Sequence, residues 1–147
     1  MSFLSSMNIS ASGLTAQKQR LDIISENISN IETTRTEGGG PYKRKMVVFQ
    51  PIEERPNFRN ILSEKTRVNN SKGGVQITQI VEDDREFKAV YNPKHPDADK
   101  DGYVLMPNVD LIKETVDAMS ATRSYDANIT AFNAIKMMAT KALEIGR

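Results

Sequence analysis

Apolar residues recur at three- and four-residue steps at both ends of the chain and at two-residue steps between them. Near the N-terminus the recurring positions are Leu4, Met7, Ala11, Leu14, Leu21, Ile24, Ile28 and Ile31. Met7, Leu14, Leu21 and Ile28 are seven apart, the seam of a coiled coil or a long amphipathic helix. Lys18 breaks the neighbouring row, and Gly13 weakens the start by up to about 1 kcal/mol relative to Ala. The spacing predicts a helix over roughly 5–31, about 40 Å long at 1.5 Å per residue.

The C-terminal part repeats the pattern. Asn108 or Asp110 can cap a helix that follows Pro107, and Glu114 lies early in it, where the helix dipole favours an acid. Ile112, Val116 and Met119 form a stripe that drifts into Ala118, Thr122, Tyr125, Ile129, Phe132, Ile135, Ala139 and Leu143. Lys141 and Gly146 suit the last turn and its exit. Such a helix has about 35 residues, against about 11–12 for an average one. Two helices of these lengths cannot both wrap one small core.

Between them, Val75, Ile77, Gln79 and Val81 alternate with Gln76, Thr78 and Ile80, and Phe87, Ala89 and Tyr91 alternate with Lys88 and Val90. Lys45–Gln50 and Tyr103–Met106 are further strand candidates, punctuated by Gly38-Gly39-Gly40-Pro41 and Gly73-Gly74. The whole reads as an α+β fold. Long N- and C-terminal helices form a coiled-coil-like bundle, and a small antiparallel β-rich domain is inserted between them. The expected divisions are an N-terminal helix (1–31), a β-rich insert (32–107) with a loop at 52–72, and a C-terminal helix (108–147).

Composition narrows the function. Of the 147 residues only 38% are hydrophobic, so the core is modest or is completed by another molecule. A net charge of +1 argues against a polyanion binder, and no nucleic-acid partner is expected. No apolar run approaches the ~18 residues of a membrane span, so no transmembrane segment is expected. Residues 1–17 carry no charged side chain, no basic leader and no small-residue cleavage site, which speaks against general secretory export. With no Cys, disulfides, zinc-thiolate sites and thiol catalysis are excluded.

Three stretches carry candidate chemistry. Asp97-Ala-Asp99-Lys-Asp101-Gly102 matches the opening of a calcium loop, with carboxylates at positions one, three and five and Gly at six. Position twelve, however, is Asn108 rather than a bidentate Glu, and Pro93 and Pro96 forbid the entering helix. An acidic turn whose Asp side chains cap nearby amides is the favoured reading, with a calcium-responsive binding module as the alternative. His95, the only histidine, is the sole anchor for an enzyme reading, and no nucleophile is placed beside it. Lys43-Arg44-Lys45 could grip phosphate, but the surrounding acids favour a solvated strand end. No catalytic residue, cofactor or metal site is expected.

The two stripes remain. Paired only with each other, they stay half exposed, so they make better sense packed against several neighbours. This points to a self-assembling protein whose ends fold on assembly. The interface residues expected are Met7, Leu14, Leu21, Ile24 and Ile28 at one end, and Val116, Met119, Tyr125, Ile129, Phe132 and Ile135 at the other.

Ile9-Ser-Ala-Ser-Gly-Leu-Thr-Ala-Gln17 and Arg20-Leu-Asp-Ile-Ile-Ser-Glu-Asn-Ile-Ser-Asn30 resemble the N-terminal signature of bacterial flagellar rod and hook proteins. Thr33-Thr-Arg-Thr-Glu-Gly-Gly-Gly-Pro-Tyr42, the run from Tyr91 to Val109, and Ser120-Ala-Thr-Arg-Ser-Tyr125 are similar to later blocks of the same family. The resemblance implies a structural subunit of the basal-body proximal rod, which assembles with copies of itself, with other rod subunits and with the basal-body ring adaptor. It also implies a periplasmic location, reached through the flagellar type III export apparatus without signal cleavage, and a role in motility.

Overall fold

The computed structural model describes residues 3–52 and 73–145. Helix α1 spans Phe3–Ser29, strands β1 Lys45–Pro51, β2 Val75–Glu82, β3 Lys88–Tyr91 and β4 Tyr103–Met106 follow, and helix α2 spans Leu111–Ile145. The fold is α+β, with two terminal helices and small antiparallel sheets between them in sequence. Apart from Ile52, the loop expected at 52–72 lies outside the described residues.

Each boundary has a local cause. Helix α1 ends two residues before the expected 31, because the Asn30 side chain donates back to the Glu26 carbonyl (2.9 Å) and a turn follows. The Asp110 side chain caps α2 by accepting from the Ile112 amide (3.1 Å). Asn108, the other capping candidate, is used elsewhere.

The strands form two separate two-stranded sheets, β1 with β2 and β3 with β4. The first is antiparallel, since the Asp83 amide donates to the Arg44 carbonyl at one end and the Ile52 amide to the Gly74 carbonyl at the other. The second is antiparallel in the register Lys88↔Met106, Ala89↔Leu105, Val90↔Val104, Tyr91↔Tyr103. On β2, Val75, Ile77 and Val81 are partly covered, as alternation requires, while Gln79 of the same row is exposed.

By its contacts the chain divides into two compact units. The first comprises the described parts of 1–18, 49–78 and 123–147. In it, Gly13 gives α1 room beside α2, for a Cβ there would lie 3.0 Å from Asn128 Oδ1. Ser12 Oγ accepts from the Val75 amide at 3.1 Å. The second unit comprises 19–48 and 79–122. Its buried residues include Ile23, Ile24, Tyr42, Val104, Val109 and Ala121, together with Asn27, Asp83, Asn108 and Glu114.

The buried stripe of α1 therefore differs from the heptad seam. Met7, Leu14, Leu21 and Ile28 are only partly covered, whereas Ser10, Ala16, Ile23, Ile24 and Asn27 are buried. Two of these five, Ser10 and Asn27, are polar, so a search for apolar periodicity passes them by.

Candidate assembly interface

The second unit is closed by a polar network. Glu114, in the first turn of α2, is fully buried and accepts from Arg44 Nε (2.6 Å) and Asn27 Nδ2 (3.1 Å). Arg44 also reaches Asp117 (3.4 Å) and Asp83 (3.8 Å). Asn27 uses its whole hydrogen-bonding capacity. Its Nδ2 donates to Glu114 and to the Lys45 carbonyl (2.9 Å), and its Oδ1 accepts from the Tyr42 hydroxyl and the Lys45 amide, both at 2.9 Å. Asn108 Oδ1 accepts from the Arg44 amide (2.8 Å), while its Nδ2 donates to the carbonyls of Asp83 (2.9 Å) and Arg85 (3.1 Å).

Four stretches of chain are thus pinned together by groups whose bonds are mutually satisfied. A buried charge is tolerated only on such terms. Arg44 is accordingly no solvated strand end, which corrects the expectation for Lys43-Arg44-Lys45. The expectation failed because its carboxylate partners lie 39 to 73 residues away, beyond the reach of local charge counting.

The network also sets ionisation. Burial, then the nearby Glu26, Glu114 and Glu82 carboxylates, push the Tyr42 phenol up to about 12. The Arg85 guanidinium, hydrogen-bonded to Asp83, holds that carboxyl below its ordinary range despite burial.

With Glu114 and Ala121 turned inward, α2 presents another face to solvent. Ile112, Val116 and Met119 follow helical spacing and are 75%, 54% and 54% exposed. Val116 and Tyr125 are nine residues apart, or two and a half turns, so they lie on opposite sides of the helix. The C-terminal stripe expected from the sequence is thus two faces of one helix. One carries the exposed Val116 and Met119, the other the partly covered Tyr125, Phe132 and Ile135. Ile129 is exposed, as are Met137, Met138, Leu143 and Ile145 further along. Of the expected N-terminal residues, Ile24 is buried within its own unit and the others keep part of their surface.

The acidic loop joins β3 to β4. Asp97 accepts from the Thr34 hydroxyl (2.8 Å) and Asp99 from the Lys100 amide (2.8 Å). Gly102 adopts φ 81°, and a Cβ there would meet Tyr91 at 2.9 Å, so the turn requires glycine. His95 Nδ1 accepts from the Asp97 amide (3.2 Å), a role that uses the unprotonated nitrogen. Among the described residues, no group of three or more His, Asp or Glu side chains is placed to hold a metal ion. No helix among them is long and apolar enough to cross a membrane.

Two family models match the chain. The flagella basal body rod protein model covers residues 7–35, and that of the flagellar basal body rod FlgEFG protein C-terminal region covers residues 100–145. The class is therefore that of flagellar rod proteins, with one match on each terminal helix. The chain is 49% identical to the flagellar basal-body rod protein FlgC of Bacillus subtilis, over the whole of both chains. It is 42% identical to that of Borreliella burgdorferi, covering 99% of this chain and 98% of the relative. To that of Salmonella typhimurium it is 38% identical over the whole of both. The chain belongs to the FlgC family of flagellar basal-body rod proteins, and it is a structural subunit of the rod.

Proposed function

We propose that the chain is a subunit of the proximal rod, the drive-shaft segment that links the membrane ring to the distal rod and hook, and that it acts through contacts rather than catalysis. Residues 1–31 and 108–147 supply the axial layer, and residues 32–107 sit outside it. The observation that carries this reading is the row Ile112, Val116 and Met119, open to solvent on the side of α2 opposite its buried Glu114 and Ala121. An apolar row of this kind is what a neighbouring subunit would cover. Val116, Met119 and Ile129 meet a neighbour first. Met7, Leu14, Leu21, Ile28, Tyr125, Phe132 and Ile135 lose their remaining exposure on assembly, and Ile24 supports α1 from within.

The partners on this reading are copies of the chain, other rod subunits and the basal-body ring adaptor, in the periplasm. Contacts between unlike faces of successive subunits give open helical order rather than a closed ring. On this reading the chain reaches that site through the flagellar type III export apparatus without cleavage, and residues 1–17 carry no charged side chain.

The test is the double variant Val116→Asp, Met119→Asp, expressed in cells lacking the native subunit. Both side chains are exposed, so the isolated subunit should keep its unfolding midpoint and still be exported. Rods should not form and motility should not return. Normal motility with this variant would overturn the reading.

A further inference from the structure

The β3–β4 hairpin leaves one backbone edge open beside a groove. The Asn92 amide donates to the Gly102 carbonyl (2.9 Å), which places residues 92 and 102 in a hydrogen-bonded pair. In an antiparallel ladder such pairs alternate with non-bonded ones. Val90↔Val104 and Lys88↔Met106 are therefore the bonded pairs of the recorded register, and Tyr91↔Tyr103 and Ala89↔Leu105 are not. It follows that Tyr103 and Leu105 turn their N–H and C=O groups away from β3. The Tyr103 carbonyl bears this out, since it accepts from the Asp99 amide (2.8 Å) on that outer side. The N–H and C=O of Leu105 have no partner among the described residues, and its side chain is 51% exposed.

On this side lies a groove of about 480 Å³. The 34–41 loop lines it with Arg35 and Pro41, the acidic turn with Asp97 and Asp99, and β4 with Tyr103 and Leu105, while no residue of β3 takes part. Asp97 and Asp99 each keep one carboxylate oxygen without a partner among the described residues. Against these two acids stands the single guanidinium of Arg35.

We infer that the outer edge of β4 is a strand-addition site for an extended peptide of a partner protein. The edge offers the open N–H and C=O of Leu105; Pro41, Tyr103 and Leu105 offer apolar surface, and the excess of acid selects for a basic residue. The ligand is thus a β-competent segment with apolar side chains at alternate positions and a Lys or Arg at the end that meets Asp97 and Asp99. Main-chain bonds would supply affinity, and the alternate side chains specificity. This site lies apart from the exposed row of α2 and does not depend on it.

The test uses the full chain and a capped synthetic peptide of alternating valine and threonine with one terminal lysine. On titration into the isotope-labelled protein, the amides of Tyr103–Leu105 and of residues 34–41 should shift, and exchange of the Leu105 amide should slow at least tenfold. The same peptide N-methylated at alternate residues, which removes the donors facing the edge, should bind at least tenfold more weakly. Leu105→Pro should have the same effect, since its amide takes no part in pairing with β3, while Ala89→Pro on the opposite edge should leave binding unchanged. Equal binding by the N-methylated peptide overturns the inference, as does loss of binding through Ala89→Pro alone, or no binding of the parent peptide at millimolar concentration.

Discussion

Asn27 and Glu114 show how much one buried polar residue can decide. Every hydrogen-bonding position of Asn27 is used, so no other side chain of its size replaces it. Asn27→Leu strands the Lys45 amide and carbonyl together with the Tyr42 hydroxyl, and should lower stability by about 3 kcal/mol or more in urea unfolding. Arg44→Met leaves the Glu114 charge buried without its main partner and should cost about 3–5 kcal/mol. Adding Glu114→Gln should then recover part of that loss, giving a coupling well above the few tenths of a kcal/mol typical of independent sites.

The same residues set the pH limits of stability. Tyr42 titrates near 12 in the folded protein and near 10 unfolded, so the fold holds its proton more tightly. Its contribution is complete below pH 10 and is lost as the pH rises toward about 12. Asp83 behaves in the opposite sense. Its contribution is complete above the ordinary value of 3.8 and is lost as the pH falls through its lower folded value. Unfolding midpoints measured across pH should therefore fall at both extremes. Tyr42→Phe should flatten the alkaline limb and Asp83→Asn the acid one.

At the scale of elements, period and punctuation were enough to place the helices and strands. The steps of three and four, the steps of two, and the Gly and Pro clusters put the two helices and four strands of the described residues within a few residues of their observed bounds. Periodicity by itself does not choose the inward side of either helix. On α1 the inward side carries the polar Ser10 and Asn27 beside Ala16, Ile23 and Ile24, and on α2 it carries the charged Glu114 beside Ala121. Asp110, by contrast, is a local signal read correctly. Asp110→Ala should remove the cap of α2 and cost about 1 kcal/mol, measured by thermal unfolding.

For the whole molecule, burial is uneven between the two units. Among described residues the first unit buries Ser10 and Ala16, whereas the second holds all the rest of the core. In amide exchange on the unassembled subunit, residues 19–48 and 79–122 should be protected. Residues 3–18 and 123–145 should exchange several orders of magnitude faster, because little apolar surface is buried there among the described residues. Equal protection throughout would mean that the ends are already held without a neighbour.

The sequence by itself determined the α+β class, the order of the elements among the described residues, and, through its signature blocks, the rod family. These are properties of local spacing and of short runs of residues, and each can be read within a window of a few tens of positions. Tertiary structure alone decided that Arg44, Asn27 and Glu114 form one network, which side of each helix is covered, and that Leu105 stands on an open edge. Each depends on groups far apart in the chain, or on which side of an element is already covered. Charge and hydrophobicity along the sequence do not encode that coverage. It follows only when the backbone has closed and each polar group has found, or failed to find, its partner.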